Sequence, residues 1–157
     1  MLISLLAQCL KRSVEMTAAP FASTFVSVAL IPVAFFFVHA FISGRRKNRF
    51  HPVTGILAVA WDLSVSIGYM VYRTFGGAVY GSTLQLTPIL NAYFIVVHVP
   101  VAVLVMSMEI VVFALGLWQL KNRTANRWHG KIAKALFFIW WFAFLSGEIL
   151  FILLYII

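Results

Sequence analysis

Coordination and proton chemistry in this 157-residue chain rests on four histidines, four acidic residues and one cysteine. Histidine nitrogens suit haem iron, copper and zinc, and mixed histidine–carboxylate sets suit non-haem iron or zinc. The candidates are His39, His51, His98 and His129, with Asp62, Glu109 and Glu148; all of them lie in or beside long apolar runs, and only Glu15 among the acids does not. Two of the histidines end the same step, Asn48-Arg49-Phe50-His51 and Asn126-Arg127-Trp128-His129. No His-x-x-x-His or Glu-x-x-His spacing occurs, so a metal site has to be assembled from separate segments. A bis-histidine haem would need two imidazoles at one depth, facing each other across roughly 4 Å of iron–nitrogen bonds. His51 and His129 are the pair whose depth fits.

The elements that would carry these residues are membrane spans. The chain is 63% hydrophobic and 10% charged, with a mean hydropathy of +1.00. A water-soluble domain of this size has too little interior to hide that much apolar surface. Runs of about 20 apolar residues are bilayer spans. The fold class is therefore all-α: a polytopic membrane protein with four transmembrane helices in an up-down bundle. The spans are expected at residues 21–43, 51–73, 88–119 and 131–157. Pro52 fits the first turn of the second, where its missing N–H costs nothing. Thr87-Pro88 is a start signal for the third, which is long for a span, with Pro100 its expected kink. Residues 1–19 form a separate N-terminal segment, in which Leu2 to Met16 reads as a short helix lying on the membrane surface. The basic residues there follow the apolar run, the reverse of a secretory signal. Cys9 alone gives neither a disulfide framework nor a thiolate site.

The net charge of +8 belongs to the loops. Nine of the twelve basic residues lie between spans 1 and 2 or around the start of span 4. The positive-inside rule puts both basic loops in the cytoplasm and both termini outside. The charge thus calls for no nucleic acid. Both Asn-Arg-aromatic-His steps stand at the cytoplasmic start of an outward-running helix. Beyond that tetrapeptide the two halves align poorly, so no duplicated fold is read.

A carboxyl at the centre of a bilayer costs about 2.5–3.5 kcal/mol on insertion scales, so Asp62, Glu109 and Glu148 should face other helices. Helical spacing puts His51, Asp62, Ser66, Tyr69 and Arg73 on one face of span 2, and His98 and Glu109 on one face of span 3. Depth along the helices, at about 1.5 Å per residue, sorts the groups into two tiers. Asp62, His98 and Glu148 fall in the middle-to-outer half; His39, His51, His129 and Glu109 fall toward the inner face. The bland alternative is a set of interhelical polar contacts that bind nothing. The aromatic run ALFFIWWFAF reads as packing and lipid contact. No Walker loop, nucleophile elbow or zinc-protease helix is present, so no enzyme signature is found.

Several landmarks occur together: the basic stretch leading into His51, Arg73-Thr74 before Gly76-Gly77, and His98 early in span 3. Lys121-Asn122-Arg123, His129 with Lys131, Trp140 and Ser146-Gly147 follow. In their order and spacing the chain resembles the domain-of-unknown-function 420 family, the CtaM-like small membrane proteins, from about Arg45 to Tyr155. The resemblance implies a four-span protein of the cytoplasmic membrane, linked to making or supporting haem-copper terminal oxidases. His51, Arg73, His98 and His129 are the positions it carries over. Asp62, Glu109, Glu148 and His39 lie outside it.

The expectation is a non-enzymatic accessory subunit or assembly factor of a respiratory oxidase, with His51, His98 and His129 holding or handing over haem or copper. A wider metal set would add His39, Asp62, Glu109 and Glu148. Its partners would be the lipid bilayer and other membrane subunits, a terminal oxidase among them, or further copies of itself. Two alternatives stay open: a structural subunit of a larger complex, and a small proton-coupled carrier using Asp62, His98 and Glu148.

Overall fold

A computed structural model describes residues 20–75, 87–122 and 127–156. The proposed surface helix at Leu2 to Met16 lies outside the described residues, as does most of the loop between spans 2 and 3. Helix α1 is Phe21–Arg45, α2 is His51–Thr74, α3 is Thr87–Tyr93, α4 is Val99–Asn122 and α5 is Arg127–Tyr155. A π-helical turn, Phe94–His98, joins α3 to α4. With it they form one long third span, Pro88–Asn122, so four helices are long and apolar enough to cross a membrane. The chain is a multi-pass, all-helical bundle.

At the basic end of the bundle three helices run past the hydropathy reading, while the last helix stops at Tyr155, short of the expected 157. α1 reaches Arg45, α4 reaches Asn122, and α5 begins at Arg127 rather than Lys131. Long basic side chains bury their stems and keep the charge in water, so a helix continues past the edge of its apolar window. The shift matters because it puts His129 inside α5. In the third span, Pro100 has no N–H for the carbonyl of Val96. The backbone answers with the wide turn just before it, where the Val99 N–H bonds to the Phe94 carbonyl. Wide turns of this kind are rare and cluster at functional positions; this one ends on His98.

The helices form a ring. α1 packs on α2 and α4 on α5 as two hairpins, and the hairpins meet along an α1–α5 seam and an α2–α4 seam. Along the diagonals, α2 to α5 and α1 to α4, the backbones stay apart among the described residues. Side chains fill that space: Val33, Phe37, Ala58, Val105, Val112, Leu136, Trp140 and Ala143 make one core. Large apolar side chains such as Phe35, Ile95 and Phe138 point outward instead. Such a surface is stable against acyl chains and not against water.

Candidate functional site

The first histidine is placed by a turn. At the end of α1 the Asn48 N–H bonds to the Ser43 carbonyl and the Lys47 N–H to the Gly44 carbonyl. This is a Schellman closure with Lys47 in the left-handed region, at φ 51°, a place that glycine usually takes. Asn48 then serves twice. Its side-chain oxygen accepts from the Phe50 N–H at 3.1 Å, and its carbonyl accepts from the His51 N–H at 3.1 Å. The Asn of the tetrapeptide thus turns the chain, and the His opens α2 against the last turns of α1. Arg49 lies over the Phe50 ring at 5.0 Å, and Arg127 over Trp128 at 5.7 Å. The second copy's Asn126 lies outside the described residues.

Both imidazoles are then held in the same way. His51 Nδ1 is 2.9 Å from the Ala40 carbonyl oxygen, and His129 Nδ1 is 3.2 Å from that of Val112. A carbonyl only accepts, so each Nδ1 carries the proton and each Nε2 keeps its lone pair. One turn beyond each acceptor stands a glycine. A methyl group on Gly44 would lie 2.9 Å from Cε1 and Nδ1 of His51, and one on Gly116 would lie 3.3 Å from Cε1 of His129. These glycines let the rings lie on the neighbouring helix. Across the α2–α5 diagonal the two ring centres are 6.0 Å apart, at an interplanar angle of 68°.

Three helical turns along, roughly 16 Å at 1.5 Å per residue, is a second layer. Asp62 and Trp140 are each 3% exposed, and Glu109 is fully buried. Trp140 Nε1–H donates to Asp62 Oδ2 at 3.0 Å across the diagonal. The Glu109 carboxyl, from α4, lies beside that of Asp62. On the opposite side Phe37 stacks on Trp140, with ring centres 4.5 Å apart and planes 15° from parallel.

The remaining candidates sit elsewhere. His98 Nδ1 is 3.0 Å from Ser146 Oγ, and that hydroxyl donates to the Ala143 carbonyl. Ser146 therefore accepts, and His98 too is a Nδ1–H tautomer with a bare Nε2. Its ring rests on Gly147, where a methyl group would come within 3.0 Å of Cε1, and stacks with Phe94, under Arg73. His98 precedes Glu109 by three turns, on the side away from the basic loops, so it does not meet the His51–His129 pair. Glu148 Oε2 accepts from the Ser27 hydroxyl at 2.5 Å. His39 is exposed, with Nδ1 3.3 Å from Thr54 Oγ1. Of the candidates, the structure thus joins His51 with His129 and Asp62 with Glu109, and leaves His39, His98 and Glu148 apart. No group of three or more His, Cys, Asp or Glu that could hold a metal occurs among the described residues.

The two hairpins also repeat each other, which the poor alignment of the halves had hidden. Ala40 and Gly44 correspond to Val112 and Gly116, a shift of 72 residues. Val33 and Phe37, both buried, map by the same shift onto the buried Val105 and Glu109. In the second helix of each hairpin the shift is 78, as for His51 to His129 and Asp62 to Trp140. Gly44 and Gly116 are the site residues sequence reasoning did not single out; Trp140 and Gly147 entered it as landmarks of the family resemblance, without their roles as hydrogen-bond donor and ring seat. A glycine four residues after a small or β-branched residue, just before a basic loop that ends in histidine, is the signal that marks Gly44 and Gly116. No protein-family model, characterised protein or solved structure matches the chain.

Proposed function

We propose that this protein is a non-enzymatic membrane accessory or assembly protein that holds a redox metal group, haem or a copper ion, between His51 and His129. One observation carries the reading: two imidazoles anchored through Nδ1–H on backbone carbonyls, with ring centres 6.0 Å apart across the bundle. A metal–nitrogen bond of about 2.0 Å on each side, plus about 1 Å from each nitrogen to its ring centre, asks for a separation of about 6 Å. Metal-ligating histidines nearly always hold their other N–H on a carbonyl or carboxylate, which fixes ring and tautomer. Two imidazoles alone do not make a zinc site, which takes four ligands. They suit haem, whose macrocycle supplies the other four nitrogens, or copper(I), a soft ion that selects its ligands by type and geometry. When bound, such a group would supply one-electron chemistry or be handed on. The chain's own part is orientation: the Ala40 and Val112 carbonyls hold the rings, and Gly44 and Gly116 seat them.

The partner would be a haem-copper terminal oxidase of the cytoplasmic membrane, with the basic loops on the cytoplasmic side. Two things support this: the landmarks shared with the CtaM-like family and the charge asymmetry of the loops. The test is purification in mild detergent, followed by a visible spectrum and metal analysis. Near-stoichiometric haem or copper is expected, lost in His51→Ala and in His129→Ala and kept in His39→Ala. Sub-stoichiometric haem and copper, unchanged by reconstitution, would reject the metal. Migration as a lone protein in gentle membrane extracts would reject the oxidase partner.

A further inference from the structure

The middle of the bundle holds a feature that the metal reading does not use. Asp62 lies eleven residues into the 24-residue α2, near the bilayer midplane. Its carboxyl and that of Glu109 are in contact, and two carboxylates side by side in hydrocarbon repel each other with little screening. The two acids are not equivalent. Asp62 receives the Trp140 N–H, and a donor of this kind favours a charged acceptor. Glu109 is fully buried, and no donor reaches either of its oxygens.

Among the described residues no countercharge is at hand. Along α2 and α4 the nearest basic groups, His51, Arg73 and His98, are each three turns from the pair. α5 offers Lys134, which is exposed, and Glu148, which is bonded to Ser27. The titratable group that α1 brings to its apolar stretch, His39, is exposed too. A buried carboxylate pair with no cation beside it has one inexpensive remedy, a proton between the two oxygens.

We infer that Asp62 and Glu109 form a proton-binding site at the membrane midplane, with Glu109 as the O–H donor and Asp62 as the carboxylate acceptor. The proton comes from water and binds by simple association: no bond other than the Glu109 O–H forms, and none breaks in the protein. The pair then carries one negative charge, spread over Asp62 and held by the Trp140 N–H. A second proton would neutralise it. The inference is independent of any metal at His51 and His129, so each can fail without the other.

The experiment is infrared spectroscopy of the full-length protein in detergent, in H2O and D2O, at about pH 8, where solvated carboxyls are ionised. The expected signal is the carbonyl stretch of one protonated carboxylic acid, slow to shift in D2O because the site is sealed. It should vanish in Glu109→Gln, change frequency in Asp62→Asn as the acceptor changes, and persist in Glu148→Gln. Absence of a protonated-acid band from the wild-type protein would overturn the proposal. So would a band indifferent to both Glu109→Gln and Asp62→Asn. The wild-type spectrum keeps the test decisive even if one variant fails to fold.

Discussion

The hairpin α1–α2 and the hairpin α4–α5 use one plan at their ends and opposite chemistry at their centres. At the basic end each has a carbonyl, a glycine one turn on, a connection and a histidine. At the centre, Phe37 of one half stands where the other has Glu109, and Asp62 stands where the other has Trp140. The seam between α1 and α5 is therefore a stacked aromatic pair, and the seam between α2 and α4 is a carboxyl pair. Trp140 belongs to both: its face packs on Phe37 and its N–H reaches Asp62. A repeated scaffold fixes where side chains meet, and the identity at each meeting point sets what they do. Two copies of the first half would set Phe37 against Asp62 at both seams, and two copies of the second would set Glu109 against Trp140, so the aromatic seam and the carboxyl seam exist only because the halves differ.

Trp140→Ala should break that arrangement most. It removes the stack on Phe37 and the stack on Phe144, and it strips Asp62 of its indole donor. The loss should be about 4 kcal/mol of stability from the cavity alone. Trp140→Phe keeps an aromatic face and loses the N–H, so about 1–3 kcal/mol is expected from the weakened Asp62. Phe37→Ala empties one seam and leaves the Asp62 bond in place, at about 3 kcal/mol. Unfolding in mixed micelles, followed by near-ultraviolet circular dichroism, would rank the three. If Trp140→Phe matched wild type, the indole–carboxylate bond would have no share in the layer.

The next test asks whether the two histidine seats are equally tight. A methyl group meets His51 at 2.9 Å on Gly44, but His129 at 3.3 Å on Gly116. Gly44→Ala must push an imidazole off its carbonyl, at about 1–3 kcal/mol. Gly116→Ala asks for a few tenths of an ångström, and under about 1 kcal/mol should suffice. Metal content on purification should fall further in Gly44→Ala than in Gly116→Ala. Equal losses in the two variants would mean that the hairpins seat their rings alike.

How far these features could be read without coordinates differs between the two layers. Four spans, their connections and the buried direction of Asp62 and Glu109 follow from hydropathy and helical period, because a bilayer leaves few other solutions. Depth counting also put His51 and His129 at one level. It could not show that they face each other, since rotation about each helix axis is set by packing with neighbours. The tiers blurred for the same reason: Glu109 was counted toward the inner face and meets Asp62 at the centre. The glycine seats are invisible to polarity and periodicity, as a glycine in an apolar run carries neither. The repeat was hidden because the two helices of each hairpin are related by different shifts, 72 and 78 residues. An alignment that carries one shift through both helices loses the second.

The smallest effect expected concerns the turn that feeds only the first hairpin. Lys47 holds a left-handed conformation, φ 51°, that costs an ordinary residue about 1–2 kcal/mol relative to glycine. Lys47→Gly removes that strain and also loosens the unfolded chain, which takes back up to about 1 kcal/mol. The balance should be about 0.5 kcal/mol of stabilisation. Because the Schellman bonds to Ser43 and Gly44 stay the same, the His51 seat should not move, and metal content should equal that of wild type. A Lys47→Gly protein that loses stability would show that the lysine side chain holds the turn, and that the first hairpin is closed by its charge as well as by its backbone.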